Sequence, residues 1–269
     1  MPNYYTLDVD GACLNYQVYG AGQPLLIIGA KPRDAEHLEP LIGALAGHFT
    51  VVALELRGID IIPDELHPEP TPERRADDVA ALIDVLGAGP TNVFGVGAGA
   101  VTGLALVDRY PAHVLKLIVH EPPLLELLPA AIRERAMIAE IVDALRRRGP
   151  QAAWELFLAH PELHADRPVV EGRSLEQDLV DSAPFLAYRM PATTSYLPDI
   201  SALARRDSPI VVGVGVESGS LPTLQTSVSL AELLGTSPIE FPGDTFGYLQ
   251  HPVDFAEVLA RSIMGESST

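Results

Sequence analysis

Gly95-Val96-Gly97-Ala98-Gly99 lies between an apolar run, Thr91 to Phe94, and a stretch of helical period from near Ala98 to Arg109. A chain that turns sharply from strand into helix can hold a side chain out at the turn, and a serine in the pattern G-x-S-x-G acts there as a nucleophile. The middle residue here is Gly97. Glycine adopts the required backbone conformation without strain, so the turn is expected and the hydroxyl is absent. What remains is main chain: Ala98 opens a helix, and helix N-terminal amides favour negative charge. The glycines lack the continued spacing of a dinucleotide fingerprint, and no Walker lysine follows them.

Other residues able to do chemistry are sparse. His120 ends the apolar run Val114 to Val119 and is followed by Glu121-Pro122-Pro123. A histidine at a strand end serves structure or function with equal weight. His160 and His164 have the spacing of four that suits a metal pair on a helix, but Pro161 interrupts any helix between them. His251 precedes Pro252 and suits the start of the last helix better than a base. In Gly29-Ala30-Lys31-Pro32-Arg33, Lys31 either projects into solvent, the usual fate of lysine, or turns inward and makes an anion site.

These residues need a scaffold, and the chain alternates strand and helix to supply it. Tyr4 to Val9 and Ala12 to Val18 flank Asp10-Gly11, a hairpin signal. Apolar strands follow at 25–28, 50–54, 91–94, 114–119 and 210–214, with a short one at 239–241. Runs this uniformly apolar belong in a parallel sheet covered on both faces. Helices are expected at 35–47, from Thr71-Pro72-Glu73 to Leu86 with a stop at Gly87, at 98–109, near 221–234 and at 252–264. Between Glu121 and Leu197 the alternation lapses into helices at 130–148, 151–159 and 175–182. The expected architecture is therefore α/β: a mostly parallel central sheet flanked by helices, with a core of 1–120 and 198–269 and a helical cap inserted at 121–197.

Composition excludes several classes of partner. With 18 basic and 36 acidic residues in 269, the formal charge is −18, which disfavours nucleic acid and anionic membranes. Two lysines, Lys31 and Lys116, stand among the basic residues. Cys13 is alone, so no intramolecular disulfide or cysteine-based zinc site forms. No secretory leader or transmembrane run is apparent, and a cytoplasmic protein is expected. The sequence leaves the oligomeric state open, with a homodimer among the states it allows.

The order of elements, together with the turn at Gly97, resembles the α/β-hydrolase superfamily across essentially the whole chain. Glu55-Leu56-Arg57-Gly58 resembles that family's D-x-R-G segment. His120-Glu121-Pro122-Pro123 resembles a run of its small bacterial members, and Pro242-Gly243-Asp244-Thr245-Phe246-Gly247-Tyr248 its P-G-D-H-x-G-F/Y segment. The resemblance implies a triad at Gly97, Glu217 and Thr245, of which the acid alone survives; Ser218 or a small shift of register stays open beside Glu217. It also implies an oxyanion hole from the amide of Ala98 and one near Ala30 or Lys31. Trp154, Phe157, Phe185, Tyr188 and Tyr196 either line a pocket for a bulky apolar ligand or form the cap's own core.

With neither serine nor histidine at the triad positions, the resemblance points away from acyl transfer. The expectation is a non-hydrolytic enzyme acting on a hydrophobic, aromatic small molecule of secondary metabolism. Its specific form is a cofactor-independent oxygenase with molecular oxygen as co-substrate and no metal, using Glu217 and His120. The alternatives are a non-catalytic binding protein, a lyase or cyclase, or an atypical hydrolase in which Glu217, Glu121 or His120 activates water.

Overall fold

The computed structural model describes residues 3–29, 38–55, 71–160 and 183–265. The hairpin forms as the sequence requires: β1 (Asn3–Val9) pairs antiparallel with β2 (Ala12–Tyr19), and Gly11 supplies the left-handed residue at φ 73°. Six strands follow: β3 (Gln23–Ile28), β4 (Phe49–Leu54), β5 (Thr91–Val96), β6 (Val114–His120), β7 (Ile210–Gly215) and β8 (Ile239–Phe241). They make an eight-stranded sheet of order β1-β2-β4-β3-β5-β6-β7-β8, parallel from β4 to β8.

Strand alternation sorts the apolar residues onto the two faces. Leu26 and Ile28 face one core layer, which holds α2 (Pro72–Leu86) and α3 (Ala98–Arg109). Leu25 and Ile27 face the other, which holds α1 (Glu39–Leu45). Burial on both sides is why these strands read as unbroken apolar runs. Helix α2 starts and stops where its residues dictate: Thr71 Oγ1 accepts the Arg74 N–H at 3.3 Å, and Gly87 ends the helix at φ 62°.

Between β6 and β7 lie α4 (Ala131–Arg148) and α5 (Pro150–Leu158), then a single π-turn over Phe185–Arg189 that runs into α6 (Met190–Thr194). These helices bury a cluster of their own, including Leu125, Ile138, Ile141, Phe157, Leu186 and Met190. The expected helix at 175–182 falls outside the described residues. The helical stretch 185–194 is not among those expected from the sequence; Pro184 directly precedes it and Pro191 lies within it. Pro191 cannot donate to the carbonyl four residues back, and the wider π-turn directly before it absorbs that loss.

The chain returns through α7 (Ile200–Leu203) to β7, followed by α8 (Pro222–Leu233), α9 (Gly247–Gln250) and α10 (Pro252–Met264). The C-terminal end of α10 is closed from outside. Lys116 Nζ, on β6, donates to the carbonyls of Ser262 and Ile263, each at 2.8 Å, while the Gly265 N–H takes that of Arg261. Among the described residues no helix is long and apolar enough to cross a membrane.

Candidate functional site

The turn after β5 keeps its shape through three glycines with separate reasons. Gly97 is buried at φ 54°, ψ −117°, a conformation that costs any other residue strain. A Cβ on Gly99 would lie 2.0 Å from the Ile28 carbonyl oxygen, and one on Gly95 2.6 Å from that of Gly99. Helix α3 therefore rests directly against the ends of β3 and β5. The Gly97 carbonyl accepts the Ala100 and Val101 amides at 3.1 and 3.2 Å, and the Gly97 N–H donates to the His120 carbonyl at 3.0 Å. The Ala98 N–H, partly exposed at the helix start, has no acceptor among the described residues.

One strand over, β6 ends in a kink. Glu121 has φ 47° and is the one non-glycine residue with positive φ among those described. Its N–H donates to the Gly213 carbonyl at 3.2 Å, and its side chain turns across the end of β7 with no solvent exposure. Oε1 accepts the Gly215 N–H at 2.9 Å and the Ser218 hydroxyl. Oε2 accepts the Thr223 hydroxyl at 2.7 Å and the Thr245 hydroxyl, and the two threonine oxygens are 3.3 Å apart. Among the described residues four donors and no acceptor meet its two oxygens, a set that suits acceptor-only oxygens.

Each donor comes from a different piece of chain: the last residue of β7, the turn behind it, the first turn of α8, and the loop after β8. Two details let them converge. Gly215 lacks a Cβ that would fall 2.6 Å from the Gly243 oxygen and 2.7 Å from Asp244 Cα, so the loop can close on the strand end. Thr226 Oγ1 donates to the Pro122 carbonyl at 2.6 Å and ties α8 to the segment after Glu121.

The carboxylate beside Thr245 is thus Glu121, not Glu217. Glu217 is exposed, and its described bond is main-chain, N–H to the Gly243 carbonyl at 2.8 Å. Ser218, one residue on, is the side chain that turns inward. Strand alternation places acids near the right end of β7 but does not say which residue of the following turn faces in. Glu121 had a signal in the sequence: a charge directly after a fully apolar strand, at the C-terminal end of a parallel sheet, where sites of such sheets lie.

His120 is enclosed, its ring edge-on to Phe241 and Phe255 with centroids 5.3 and 5.1 Å away. Nε2 lies 3.3 Å from the Asp244 carbonyl oxygen, and burial pushes the imidazole below its ordinary range. The aromatic residues expected around a ligand divide differently. Trp154 stacks on Phe157 at 5.3 Å and Phe157 meets Phe185 edge-on at 6.0 Å, with Phe157 buried in the cluster of α4 and α5. The three rings pack against one another; Phe157 is buried, while Trp154 and Phe185 keep part of their surface exposed. Tyr188 is half-buried, and Tyr196 packs on the sheet layer, where burial, with Glu73 and Asp108 close by, pushes its phenol up. Ala30, Lys31 and His164 lie outside the described residues.

No family model matches the chain. It is 30% identical over 263 residues to the uncharacterized hydrolase YraK of Bacillus subtilis, covering 96% of this chain and 94% of that protein. It is 23% identical over 265 residues to the zearalenone hydrolase of Bionectria ochroleuca, at 94% of each. Among solved structures, a thermophilic esterase from Thermogutta terrifontis superposes with a TM-score of 0.69 over 98% of both chains, at 18% identity. Relatives named as hydrolases along nearly their whole length overturn the expectation of a non-hydrolytic oxygenase. That expectation rested on the absence of a serine at position 97 and of a histidine at position 245, which removes the acyl-enzyme route and not every route to hydrolysis.

Proposed function

The chain belongs to the α/β-hydrolase superfamily, and on that premise we propose that it is a hydrolase that directs water, in place of a serine, at a carboxylic ester of a small molecule. The observation that carries this reading is the Thr245 hydroxyl on Glu121, at the position where the family resemblance expects an imidazole. Gly97 removes the nucleophile and Thr245 the histidine, yet a buried carboxylate still stands behind the position the base would occupy.

Water bound beside Thr245 donates to its Oγ as that hydroxyl passes its own proton to Glu121 Oε2. The hydroxide equivalent adds to the acyl carbon, and the negative charge on the carbonyl oxygen is met by the Ala98 N–H at the start of α3. Collapse breaks the bond to the leaving alkoxide, and the proton held by Glu121 returns through Thr245 to that oxygen. The products are acid and alcohol, with the carboxylate restored.

The test uses p-nitrophenyl acetate with wild type, Glu121→Gln and Thr245→Val. Loss of the base lowers kcat/KM by about 10²- to 10⁴-fold, the usual span for general base catalysis. Thr245→Val, which keeps the shape and removes the relay, falls in the same direction. Pre-steady-state traces show no stoichiometric burst, since no acyl-enzyme forms. Hydrolysis unchanged in Glu121→Gln, or a burst of one equivalent, overturns the mechanism.

A further inference from the structure

Thr245 meets Glu121 only if the loop between β8 and α9 holds its place, and several of the loop's contacts meet at Asp244. Its side chain works locally: Oδ1 accepts the Phe246 N–H at 2.7 Å, and Oδ2 accepts Gln250 Nε2 at 3.3 Å. Its carbonyl accepts twice, from the Gly247 N–H at 2.8 Å within the loop and from His120 Nε2 at 3.3 Å across the sheet. His120 is thus the side chain that reaches the loop from β6, the strand that also carries Glu121.

We propose that His120 is a positioning residue, a neutral imidazole that donates through Nε2 to the Asp244 carbonyl and so sets the Thr245 hydroxyl on Glu121; the catalytic part of this rests on the hydrolase reading above. A carbonyl can only accept, so Nε2 carries the hydrogen and the tautomer is decided. Nδ1 is then a lone pair, and among the described residues it has no hydrogen-bond partner. It faces Gly213, whose added Cβ would lie 3.2 Å from it and 2.6 Å from the Phe241 ring. The ring is therefore wedged between β7 and two phenylalanines in one orientation. Protonation there would bury a cation, consistent with the lowered affinity for a proton. A group so enclosed cannot shuttle protons to substrate; it can hold a carbonyl in place.

The same residue also grips the turn after β5, through its main chain: the His120 carbonyl takes the Gly97 N–H. Side chain and main chain of one residue thus register the loop carrying Thr245 against the strand end carrying Gly97. A displacement of about 1 Å at such a pair costs around 10²-fold in rate.

The experiment compares wild type with His120→Phe, which fills the space and cannot donate, and His120→Gln, whose amide nitrogen can reach the Asp244 carbonyl. Amide exchange of Gly247, followed by NMR against a core amide such as Val119, reads the loop without any substrate. It accelerates about tenfold in His120→Phe, the loss of one hydrogen bond's worth of local stability, and stays near wild type in His120→Gln. On p-nitrophenyl acetate His120→Phe loses about 10²-fold in kcat with KM within about twofold, and His120→Gln recovers to within about threefold of wild type. Equal Gly247 exchange in all three proteins overturns the positioning role whatever the kinetics. Activity lost equally in both variants, with exchange preserved in His120→Gln, overturns it in favour of His120 as a base. Should His120→Phe not fold, His120→Leu replaces it with the same expectations. Glu121→Gln alone as active as wild type defeats the hydrolase mechanism and leaves the exchange result standing.

Discussion

At the end of β5, three glycines leave nothing but main chain; one strand over, at the end of β6, a single carboxylate gathers three hydroxyls and an amide. The two ends touch through the Gly97 N–H and the His120 carbonyl, yet they solve different problems. The β5 end is a matter of clearance, since a helix start must rest on two strands. The β6 end is a matter of valence, since a buried carboxylate must find donors for both oxygens. The difference shows that the geometry of a turn and the polar side chains beside it are set separately. The turn keeps at Gly97 a conformation that would strain any other residue, while the buried carboxylate stands on the residue that follows the neighbouring strand.

Beyond the loss expected from Glu121→Gln, the sharpest way to break the clearance side is Gly99→Ala. A Cβ 2.0 Å from the Ile28 oxygen forces α3 off the sheet, and chemical denaturation should show about 3 kcal/mol of lost stability. Gly97→Ser is milder. Serine at φ 54° costs about 1–2 kcal/mol, and without an imidazole at 245 the new hydroxyl adds no acyl-enzyme burst. If Gly97→Ser alone gives a burst of one equivalent, the carboxylate side is not the base it is taken to be.

The valence side responds to pH through His120. Its proton affinity is lowered in the folded protein, so near and below the ordinary histidine value the unfolded chain binds a proton that the folded one refuses. Stability is then full above about pH 6.5 and falls as pH drops below it, by at most about 1.4 kcal/mol per unit. Comparing wild type with His120→Gln between pH 7.5 and 5 isolates this slope, which the variant lacks. The smallest effect is Glu217→Gln: an exposed carboxylate away from Thr245 should leave kcat/KM within about twofold, as surface changes of this kind do.

The parallel part of the sheet was legible in the sequence because burial on both faces writes itself as apolar runs, and β3 to β7 fall within a few residues of those runs, while β1 and β2 were legible from the turn at Asp10-Gly11. Thr71 and Gly87 likewise announce α2, since capping chemistry is local. The turn at Gly97 and the loop carrying Thr245 were legible from pattern. That Glu121, and not Glu217, lies against Thr245 was not, because it depends on a positive φ at one residue and an inward turn at Ser218. Neither leaves a periodic trace. The rings at Trp154, Phe157 and Phe185 were ambiguous for another reason: composition tells that a helical layer has large apolar side chains, while only packing tells whether they face each other or a ligand.

Lys116 has a consequence for chemical modification. In a chain with two lysines, this partly buried amine is committed to two carbonyls at the end of α10, so it should react more slowly with acylating reagents while those bonds hold and faster when that helix lifts. Reaction at Lys116 therefore clocks the detachment of the C-terminal helix. Once acylated, the side chain has too few hydrogens to serve both carbonyls, so each labelling event also prevents the helix from closing as before.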